Sequence, residues 1–304
     1  MLLVIDVGNT NTSLGIYEVG RLRASWRLTT RREQTADEWG VFIQTLLGTR
    51  GIAQQDITGV AISNVVPPIQ QALEWMCERY FGVNPLTVEP GVTADLPLNV
   101  DVPRDVGADR VVSCVAGIAL YGTPLIVVDF GTATRFDCVN SRGEFIGGAI
   151  APGINTAAEA LVSRAARLFR VELVRPKEAI GRNTVTNIQS GMIYGWAGLV
   201  DGIVERMRRE MEGDVKVVGT GGLVGQMREV VQSLQFVNPE LKLEGLRMLW
   251  DTRGGPPVYL PPKYGRSGRA VLYIQGSGGR QPAPGPGRVR PGGGAYGHVG
   301  RTGP

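Results

Sequence analysis

Two stretches of the chain place an aspartate between an apolar run and a glycine. They are Val4-Ile5-Asp6-Val7-Gly8-Asn9-Thr10-Asn11 and Val127-Val128-Asp129-Phe130-Gly131-Thr132-Ala133-Thr134. A β-strand can deliver the carboxylate to its own end, and the following glycine lets backbone N–H groups and a hydroxyl approach a phosphate closely. A single copy would be interpreted as a structural turn. Two copies favour a duplicated fold that binds one nucleotide, with a carboxylate available for Mg²⁺.

A third glycine-rich turn, Gly219-Thr220-Gly221-Gly222-Leu223, follows the short apolar stretch at residues 214–218. Taken alone, such a turn is equally explained by close packing of a strand against a helix. In a chain that already has two candidate phosphate turns, it becomes a candidate contact for adenosine or ribose.

The segment Gly107-Ala108-Asp109-Arg110 precedes an apolar run at residues 111–120 with helical spacing. Asp109 then lies in the first turn of a helix, where a carboxylate can simply complement the helix dipole. A carboxylate facing phosphate turns could instead orient an attacking hydroxyl and accept its proton, with Arg110 holding an anionic group of the acceptor.

The composition limits the other chemistry that the chain could perform. Its one histidine is His298, and its cysteines, Cys77, Cys114 and Cys138, are far apart in the sequence. Nucleophiles activated by histidine, histidine-ligated metals, zinc sites and a disulfide framework are therefore not indicated. Carboxylates, hydroxyls and backbone amides remain to do the chemistry.

The net charge of +4 is unevenly distributed along the 304 residues. Eight of the 32 Lys and Arg residues, and none of the 28 Asp and Glu residues, lie from residue 253 onward. The rest is therefore mildly acidic, and a basic nucleic-acid surface is not predicted there. The last 52 residues hold 15 Gly and 9 Pro, which predicts a disordered tail over 252–304. Nucleic-acid binding by this tail and a reading-frame change in the gene are the alternatives.

The apolar runs are too short and too interrupted for a membrane protein. A membrane span needs about 18 consecutive apolar residues, and the first apolar run is broken by Asp6 and lacks a basic leader. These features predict a cytoplasmic protein without a membrane partner. The length favours two lobes, which we place at 1–120 and 121–251.

Each aspartate-glycine turn is followed by the pattern of two strands joined by a hairpin. Residues 13–17 and 22–28 flank Glu18-Val19-Gly20-Arg21, and residues 134–139 and 144–150 flank Asn140-Ser141-Arg142-Gly143. We expect each lobe to open with a three-strand meander whose first loop is the aspartate-glycine turn.

Helices and further strands fill the remainder of each lobe. The capping-box sequence Thr35-Ala36-Asp37-Glu38 begins one amphipathic helix. Apolar spacing predicts further helices at 69–80, 111–120, 155–169, 184–211 and 223–234, and strands at 57–64, 85–88 and 214–218. The segment Leu241-Lys242-Leu243-Glu244-Gly245-Leu246 alternates in the manner of a strand. This order predicts an α/β fold with mixed sheets.

Five motifs resemble those of type III pantothenate kinases, the family that includes the Bvg accessory factor proteins. Three of them are the first aspartate-glycine turn, Gly107-Ala108-Asp109-Arg110 and the second aspartate-glycine turn. The other two are Gly147-Gly148-Ala149-Ile150-Ala151-Pro152-Gly153 and Arg182-Asn183-Thr184. The resemblance runs in order from residue 1 to about residue 250.

The resemblance implies a duplicated actin-like ATPase fold of the sugar kinase and Hsp70 type. It also implies transfer of the γ-phosphate of ATP to the 4′-hydroxyl of pantothenate, the first step of coenzyme A synthesis, by a homodimer. Its implied cofactors are ATP, Mg²⁺ and a monovalent cation, K⁺ or NH₄⁺.

The resemblance assigns site residues as well. ATP would be bound by Asp6, Val7, Gly8, Asn9, Thr10, Asn11, Thr12, Ser13 and Thr132, with Mg²⁺ held through ATP at Asp6 and the monovalent cation at Asp129. Pantothenate would be bound by Gly107, Ala108, Asp109 and Arg110, and by Thr184 from the partner subunit, with Asp109 as the proton acceptor.

Two positions depart from the family pattern. Arg135 stands where the family commonly has a small hydroxyl residue, and Val100 stands where a tyrosine often contacts the substrate. Two alternatives therefore stay open beside the pantothenate kinase. One is a nucleotide-binding regulatory protein without catalysis, and the other is a kinase for another small hydroxylated acid.

Overall fold

The computed structural model describes residues 1–253, which lie within one compact unit. The tail predicted at 252–304 lies outside the described residues, apart from its first two positions. The lobe boundary near residue 120 stays a prediction.

The first half of the chain forms a five-stranded mixed sheet with the strand order β3-β2-β1-β4-β5. Strand β1 is antiparallel to β2 and parallel to β4. The elements are β1 (Leu2–Val7), β2 (Asn11–Glu18), β3 (Arg21–Thr29), α1 (Ala36–Gly48), β4 (Gly59–Asn64), α2 (Gln70–Met76), β5 (Leu86–Thr87) and α3 (Ala108–Tyr121).

The second half repeats this sheet in the order β8-β7-β6-β9-β10, with β6 antiparallel to β7 and parallel to β9. The predicted duplication and both meanders are thereby confirmed. The elements are β6 (Leu125–Phe130), β7 (Ala133–Val139), β8 (Phe145–Pro152), α4 (Ile154–Arg164), α5 (Thr184–Glu210), β9 (Lys216–Thr220), α6 (Val224–Met227), β10 (Phe236–Val237) and α7 (Leu241–Thr252).

The central strands are the most buried elements of both sheets. Every residue of β1 and of β6 is buried, including the aspartate near each carboxyl end. Helices α1 and α2 cover the outer face of the first sheet around Trp39, and α5 covers the outer face of the second. Helices α3 and α7 pack on the inner faces, in one core that both sheets share.

Local signals account for the start of α1. The Thr35 hydroxyl accepts a hydrogen bond from the Glu38 N–H at 3.3 Å, and the Glu38 carboxylate accepts one from the Thr35 N–H at 2.7 Å. These two bonds confirm the predicted capping box, which satisfies two N–H groups that the first helical turn leaves unpaired.

The strand pattern at 241–246 was a wrong prediction, since these residues begin the helix α7. Leu241, Leu243, Leu246 and Leu249 are all buried, and together they follow the helical repeat rather than the alternation of a strand. The segment is too short for the two periods to be told apart without the residues that follow.

The helix predicted at 223–234 is much shorter, because α6 ends at Met227. The Asp201 carboxylate of α5 accepts hydrogen bonds from the N–H groups of Gln232 and Ser233, at 3.2 and 2.8 Å. Asp201 therefore satisfies N–H groups that a continued helix would have paired internally. Helix α2 continues without a break into a π-helical segment at Cys77–Phe81, which agrees with the helix predicted at 69–80, whereas α4 ends at Arg164, before the predicted residue 169.

The apolar side of α5 packs against the rest of the same chain. Ile188, Met192, Val200 and Val204 are buried in the core beneath the second sheet. The Trp196 indole packs beside them and donates a hydrogen bond to the Thr134 hydroxyl at 3.0 Å. In the described part of the chain, no helix is both long and apolar enough to cross a membrane.

Candidate functional site

A cleft of about 930 Å³ lies where the carboxyl ends of β1, β6 and β9 meet the amino end of α3. All three glycine-rich turns line it. Among the predicted site residues, those that line the cleft are Asp6, Gly8, Asn9, Thr10, Asn11, Ser13, Gly107, Asp109, Arg110, Asp129 and Thr132. The fold thus brings together residues that are up to about half the chain apart in the sequence.

The two aspartate-glycine turns are each closed by a hydrogen bond from the glycine N–H, across three residues in the first and two in the second, and they touch each other. The Gly8 N–H donates to the Asn11 carbonyl at 3.0 Å, and the Gly131 N–H donates to the Ala133 carbonyl at 3.1 Å. The hydroxyls of Thr10 and Thr132 are 2.7 Å apart and hydrogen-bonded. One bound group could therefore contact both turns at once.

Four predicted site residues lie elsewhere. Val7 and Ala108 are buried in the core. Thr12 is fully buried and is hydrogen-bonded to the Thr30 hydroxyl at 2.9 Å, and Thr30 in turn donates to the Gly8 carbonyl at 2.7 Å. Thr12 therefore supports the first turn from below. Thr184 is exposed and lines a separate surface hollow with Leu161, Leu168 and Ile188.

Three aspartates face the cleft at low exposure: Asp6 at 4%, Asp109 at 4% and Asp129 at 2%. Arg135 from β7 bridges two of them, with one guanidinium nitrogen on Asp109 Oδ2 and the other on Asp129 Oδ2. In each of the three carboxylates, Oδ1 is buried and has no hydrogen-bond partner within residues 1–253. These oxygens remain available to a ligand, a water or a cation.

Lys242, at the start of α7, brings a second fixed positive charge to the same place. Its Nζ lies 2.9 Å from Asp129 Oδ2 and 3.7 Å from Asp6 Oδ2. Burial alone would lower the pKa of Lys242, but Asp129 and Asp6 outweigh it and raise that pKa above its usual range. Because residues 241–246 were interpreted as a strand, Lys242 was not predicted to be a site residue. The signal in the sequence that could have revealed it is its position between Leu241 and Leu243, both of which are buried.

The electrostatic surroundings make the two turn aspartates unequal. Burial raises the pKa of Asp6, and Lys242 only partly opposes this effect. Burial also acts to raise the pKa of Asp129, but Lys242 and Arg135 outweigh it and lower that pKa to about 2. Asp129 is therefore a firmly ionised, paired carboxylate, while Asp6 has the weaker compensation.

Arg110 is held by a residue that sequence analysis missed. Its Nε lies 2.6 Å from Oδ1 of the buried Asp137, and its guanidinium lies 5.0 Å from the centre of the Phe145 ring. The charge-assisted hydrogen bond and the ring fix the direction of the side chain. Asp137 is on β7, two residues beyond Arg135, so both side chains project from the same face of the strand.

The third turn is pressed against the second. Gly221 has φ +91°, which favours glycine, and a Cβ there would overlap Asp129 Oδ1 and lie 2.7 Å from the Phe130 carbonyl oxygen. The neighbouring Gly222 lies against the guanidinium of Arg27. Both glycines therefore let the turn approach the acidic centre of the cleft.

The sequence matches a model of the family described as type III pantothenate kinase over residues 2–206, which is more than half of the chain. The chain belongs to the type III pantothenate kinase family. Lys242 and α7 lie beyond the residues of this family match.

Solved structures agree with the fold expected for a type III pantothenate kinase family member. One is named as a Baf family transcriptional activator from Campylobacter jejuni, with a TM-score of 0.53 and 19% identity over 83% of this chain and 98% of that one. Another is named as a 2-dehydro-3-deoxygalactonokinase from Sinorhizobium meliloti, with a TM-score of 0.55 and 12% identity over 86% and 100%. The protein has the actin-like ATPase and sugar kinase fold, built from two mixed sheets.

The two departures from the family pattern have different structural consequences. Arg135 lines the cleft and pairs with both Asp109 and Asp129, so it changes the charge at the centre of the site. Val100 is partly buried against the inner core, and its Cγ1 lies 3.8 Å from the position that a Cβ would take at Gly147. Val100 therefore serves as a packing residue.

The residues of the cleft fit one implied metal better than the other. Mg²⁺ usually binds through one or two carboxylates together with substrate phosphates, and Asp6 offers a buried Oδ1 without a partner in the described part of the chain. A K⁺ ion at Asp129 would meet Oδ2 already paired with Lys242 and Arg135. No cluster of three or more acidic, cysteine or histidine side chains within residues 1–253 is arranged to hold a metal.

Proposed function

We propose that the protein transfers the γ-phosphate of ATP to the 4′-hydroxyl of pantothenate, the first step of coenzyme A synthesis, in the cytoplasm. The observation that carries this proposal is the meeting of both aspartate-glycine turns with the amino end of α3 in one cleft. Membership of the type III pantothenate kinase family supports the same reaction.

The nucleotide phosphates would lie between the two turns. Backbone N–H groups beside Gly8 and Gly131 and the hydroxyls of Thr10 and Thr132 provide the donors for phosphate oxygens. Asp6 would hold Mg²⁺ through Oδ1, which has no hydrogen-bond partner within residues 1–253, and that metal would supply charge neutralisation for the phosphates when bound. The third turn, beside Arg27, would contact the nucleoside.

The acceptor would lie on the α3 side of the cleft. Arg135 holds Asp109 Oδ2, so Asp109 Oδ1 is the oxygen positioned to receive the proton of the attacking hydroxyl. The bond from the γ-phosphorus to the bridging oxygen breaks as the bond to the acceptor oxygen forms, and ADP leaves. A Cβ at Gly107 would lie 2.8 Å from Asp109 Oδ1, so glycine avoids crowding this buried oxygen.

The remaining guanidinium nitrogens of Arg110 would bind the pantothenate carboxylate. Asp137 occupies Nε and fixes the orientation of the group, so the arginine would meet its substrate already ordered. Asp137 already engages one nitrogen of Arg110, and Val100 packs against the core instead of contacting a substrate. These two observations favour one second candidate: a kinase of the same mechanism for another small hydroxylated acid.

Thr184 would reach the substrate of a partner subunit in a homodimer. It is exposed and lies outside the cleft of its own chain, in a hollow bordered by Leu161 and Leu168. Light scattering of the purified protein tests the dimer, and Thr184→Arg should weaken both the assembly and turnover. A monomer with full activity would contradict this assignment.

The test of the reaction is ATP-dependent phosphorylation of pantothenate by the purified protein, followed by ADP release and by mass spectrometry of the product. Turnover with pantothenate is the expected result. Turnover with only a different hydroxy acid would favour the second candidate. ATP binding without turnover on any acid would favour the nucleotide-binding regulatory protein.

A further inference from the structure

The acidic centre of the cleft carries its own compensating charge. Asp6, Asp109 and Asp129 are each at most 4% exposed, while the side chains of Lys242 and Arg135 are 21% and 17% exposed. Buried carboxylates require paired charges, because a buried charge without a partner is strongly destabilising. Within residues 1–253, the protein supplies these charges at fixed positions beside the carboxylates.

Lys242 occupies the position between the two halves of the duplicated fold. Its Nζ contacts Asp129 Oδ2 at 2.9 Å and lies 3.7 Å from Asp6 Oδ2, so one ammonium group lies between the ends of the two central strands. It comes from α7, which follows the second sheet in sequence but packs on β1, β2 and β4 of the first. The ammonium is thus held by packing on one sheet while it pairs with a carboxylate of the other.

Arg135 also contacts Asp129 Oδ2, the oxygen that pairs with Lys242. One of its guanidinium nitrogens lies on Asp129 Oδ2, and the other joins Asp109 to the network. Asp129 Oδ1 faces the third turn, where a Cβ at Gly221 would overlap it. At Asp129, Oδ2 is therefore already engaged by two cationic side chains, Lys242 and Arg135, while Oδ1 is buried against the third turn.

We propose that the Lys242 ammonium is a built-in monovalent cation, which supplies the single positive charge between Asp6 and Asp129 that a bound K⁺ or NH₄⁺ ion would otherwise supply. The inference rests on the proposed nucleotide site for its purpose, since a charge here would face the phosphates. Nucleotide binding by the wild-type protein then requires no monovalent metal ion.

The first experiment measures thermal unfolding without nucleotide in LiCl, NaCl, KCl and NH₄Cl at equal ionic strength. Wild type should unfold at the same temperature, within about 1 °C, in all four salts. Lys242→Ala should unfold at least about 5 °C lower in LiCl, because it leaves buried carboxylates uncompensated. KCl and NH₄Cl, but not LiCl, should recover about half of that loss, because the vacated space can accept these larger ions.

Two further variants make the result specific. Lys242→Met keeps the length of the side chain without its charge, so the space stays filled and K⁺ should give no recovery. Lys177→Ala removes an exposed lysine and should match wild type in every salt. A K⁺-selective stabilisation of wild type, or a Lys242→Ala variant indifferent to the cation, would overturn the proposal.

The second experiment uses wild type alone and so does not depend on any variant folding. Calorimetric titration with Mg²⁺-ATP should give dissociation constants that agree within about twofold in K⁺ and Li⁺ buffers. A tenfold weaker affinity in Li⁺ would refute the built-in cation. Absence of ATP binding in both buffers would contradict the proposed function instead, while the unfolding experiment would still decide the role of Lys242.

Discussion

The Thr10 hydroxyl is hydrogen-bonded to the Thr132 hydroxyl at 2.7 Å, although 122 residues separate them in the sequence. This bond joins the two aspartate-glycine turns directly. Replacing the second partner, in Thr132→Val, removes the bond and one candidate phosphate donor while conserving the volume of the side chain.

We expect Thr132→Val to weaken ATP binding by about tenfold to a hundredfold, the effect of losing one hydrogen bond to a charged group. The thermal midpoint should change little, because this hydrogen bond is exposed. Calorimetric titration with ATP makes the measurement. Thr45→Val on the exposed face of α1 is the matched control, and an equal loss of ATP affinity in both variants would refute a local role for Thr132.

Asp109→Asn should lower kcat by at least about 100-fold, the scale of losing a positioned acid-base group. The KM for ATP should change far less, because Asp109 lies on the α3 side of the cleft. Steady-state kinetics with varied ATP and pantothenate separates the two effects. Asp101→Asn, at an exposed aspartate, should keep full activity, and a kcat for Asp109→Asn near wild type would remove Asp109 as the proton acceptor.

Gly221→Ala should destabilise the protein by at least about 2 kcal/mol, because the new Cβ combines a positive φ with overlap of Asp129 Oδ1. Gly225→Ala is a sharp control in the neighbouring α6, since a Cβ there would meet no described atom within 4 Å. Urea unfolding compares the two free energies. Equal stability of the two variants would show that the third turn can move away from Asp129 freely.

The low pKa of Asp129 predicts how its contribution to stability depends on pH. The pKa in the folded protein, about 2, is below the ordinary value of 3.8, so this stabilisation is present above about pH 4 and is lost as the pH falls towards 2. Its size is about 2 kcal/mol, at 1.36 kcal/mol per unit of pKa.

Urea unfolding of wild type and Asp129→Asn between pH 5 and pH 2.5 measures this effect. The difference in free energy of unfolding between the two proteins should shrink as the pH falls through that window. A difference for Asp129→Asn that stays constant with pH would mean that Asp129 is not stabilised by its basic partners.

The sequence predicted the meanders, the three glycine-rich turns and Asp109 at the start of a helix, because each is encoded within a few consecutive residues. The partners of the charged groups were harder to predict. Asp137, which holds Arg110, is 27 residues away from it, and Lys242 meets Asp129 from the far end of the second half. Such pairs depend on how the two sheets pack, and residue spacing carries no information about that packing.

Predictions from local sequence patterns were also wrong where residues outside the pattern determine the local structure. The helix predicted at 223–234 ends at Met227, and Asp201, in another helix, binds the N–H groups of Gln232 and Ser233 that a longer helix would have paired. The alternating leucines at the start of α7 were consistent with a strand until Leu249 extended the helical repeat. Arg135 was visible as a departure, but its position between Asp109 and Asp129 required the fold.

Helix α7 packs on the first sheet, so part of the packing of that sheet can form only after nearly all of the described chain has been synthesised. Trp250 fills the space above Gly59 on β4, and Leu243 lies against Gly15 on β2. These contacts cannot form until residues 241–252 have left the ribosome, although the strands that they cover are made first. The part of the inner face of the first sheet that α7 covers therefore stays exposed until this last described helix has been made. Lys242, which places a positive charge between the two halves, belongs to that same segment and is therefore also made last among the charged residues of the site.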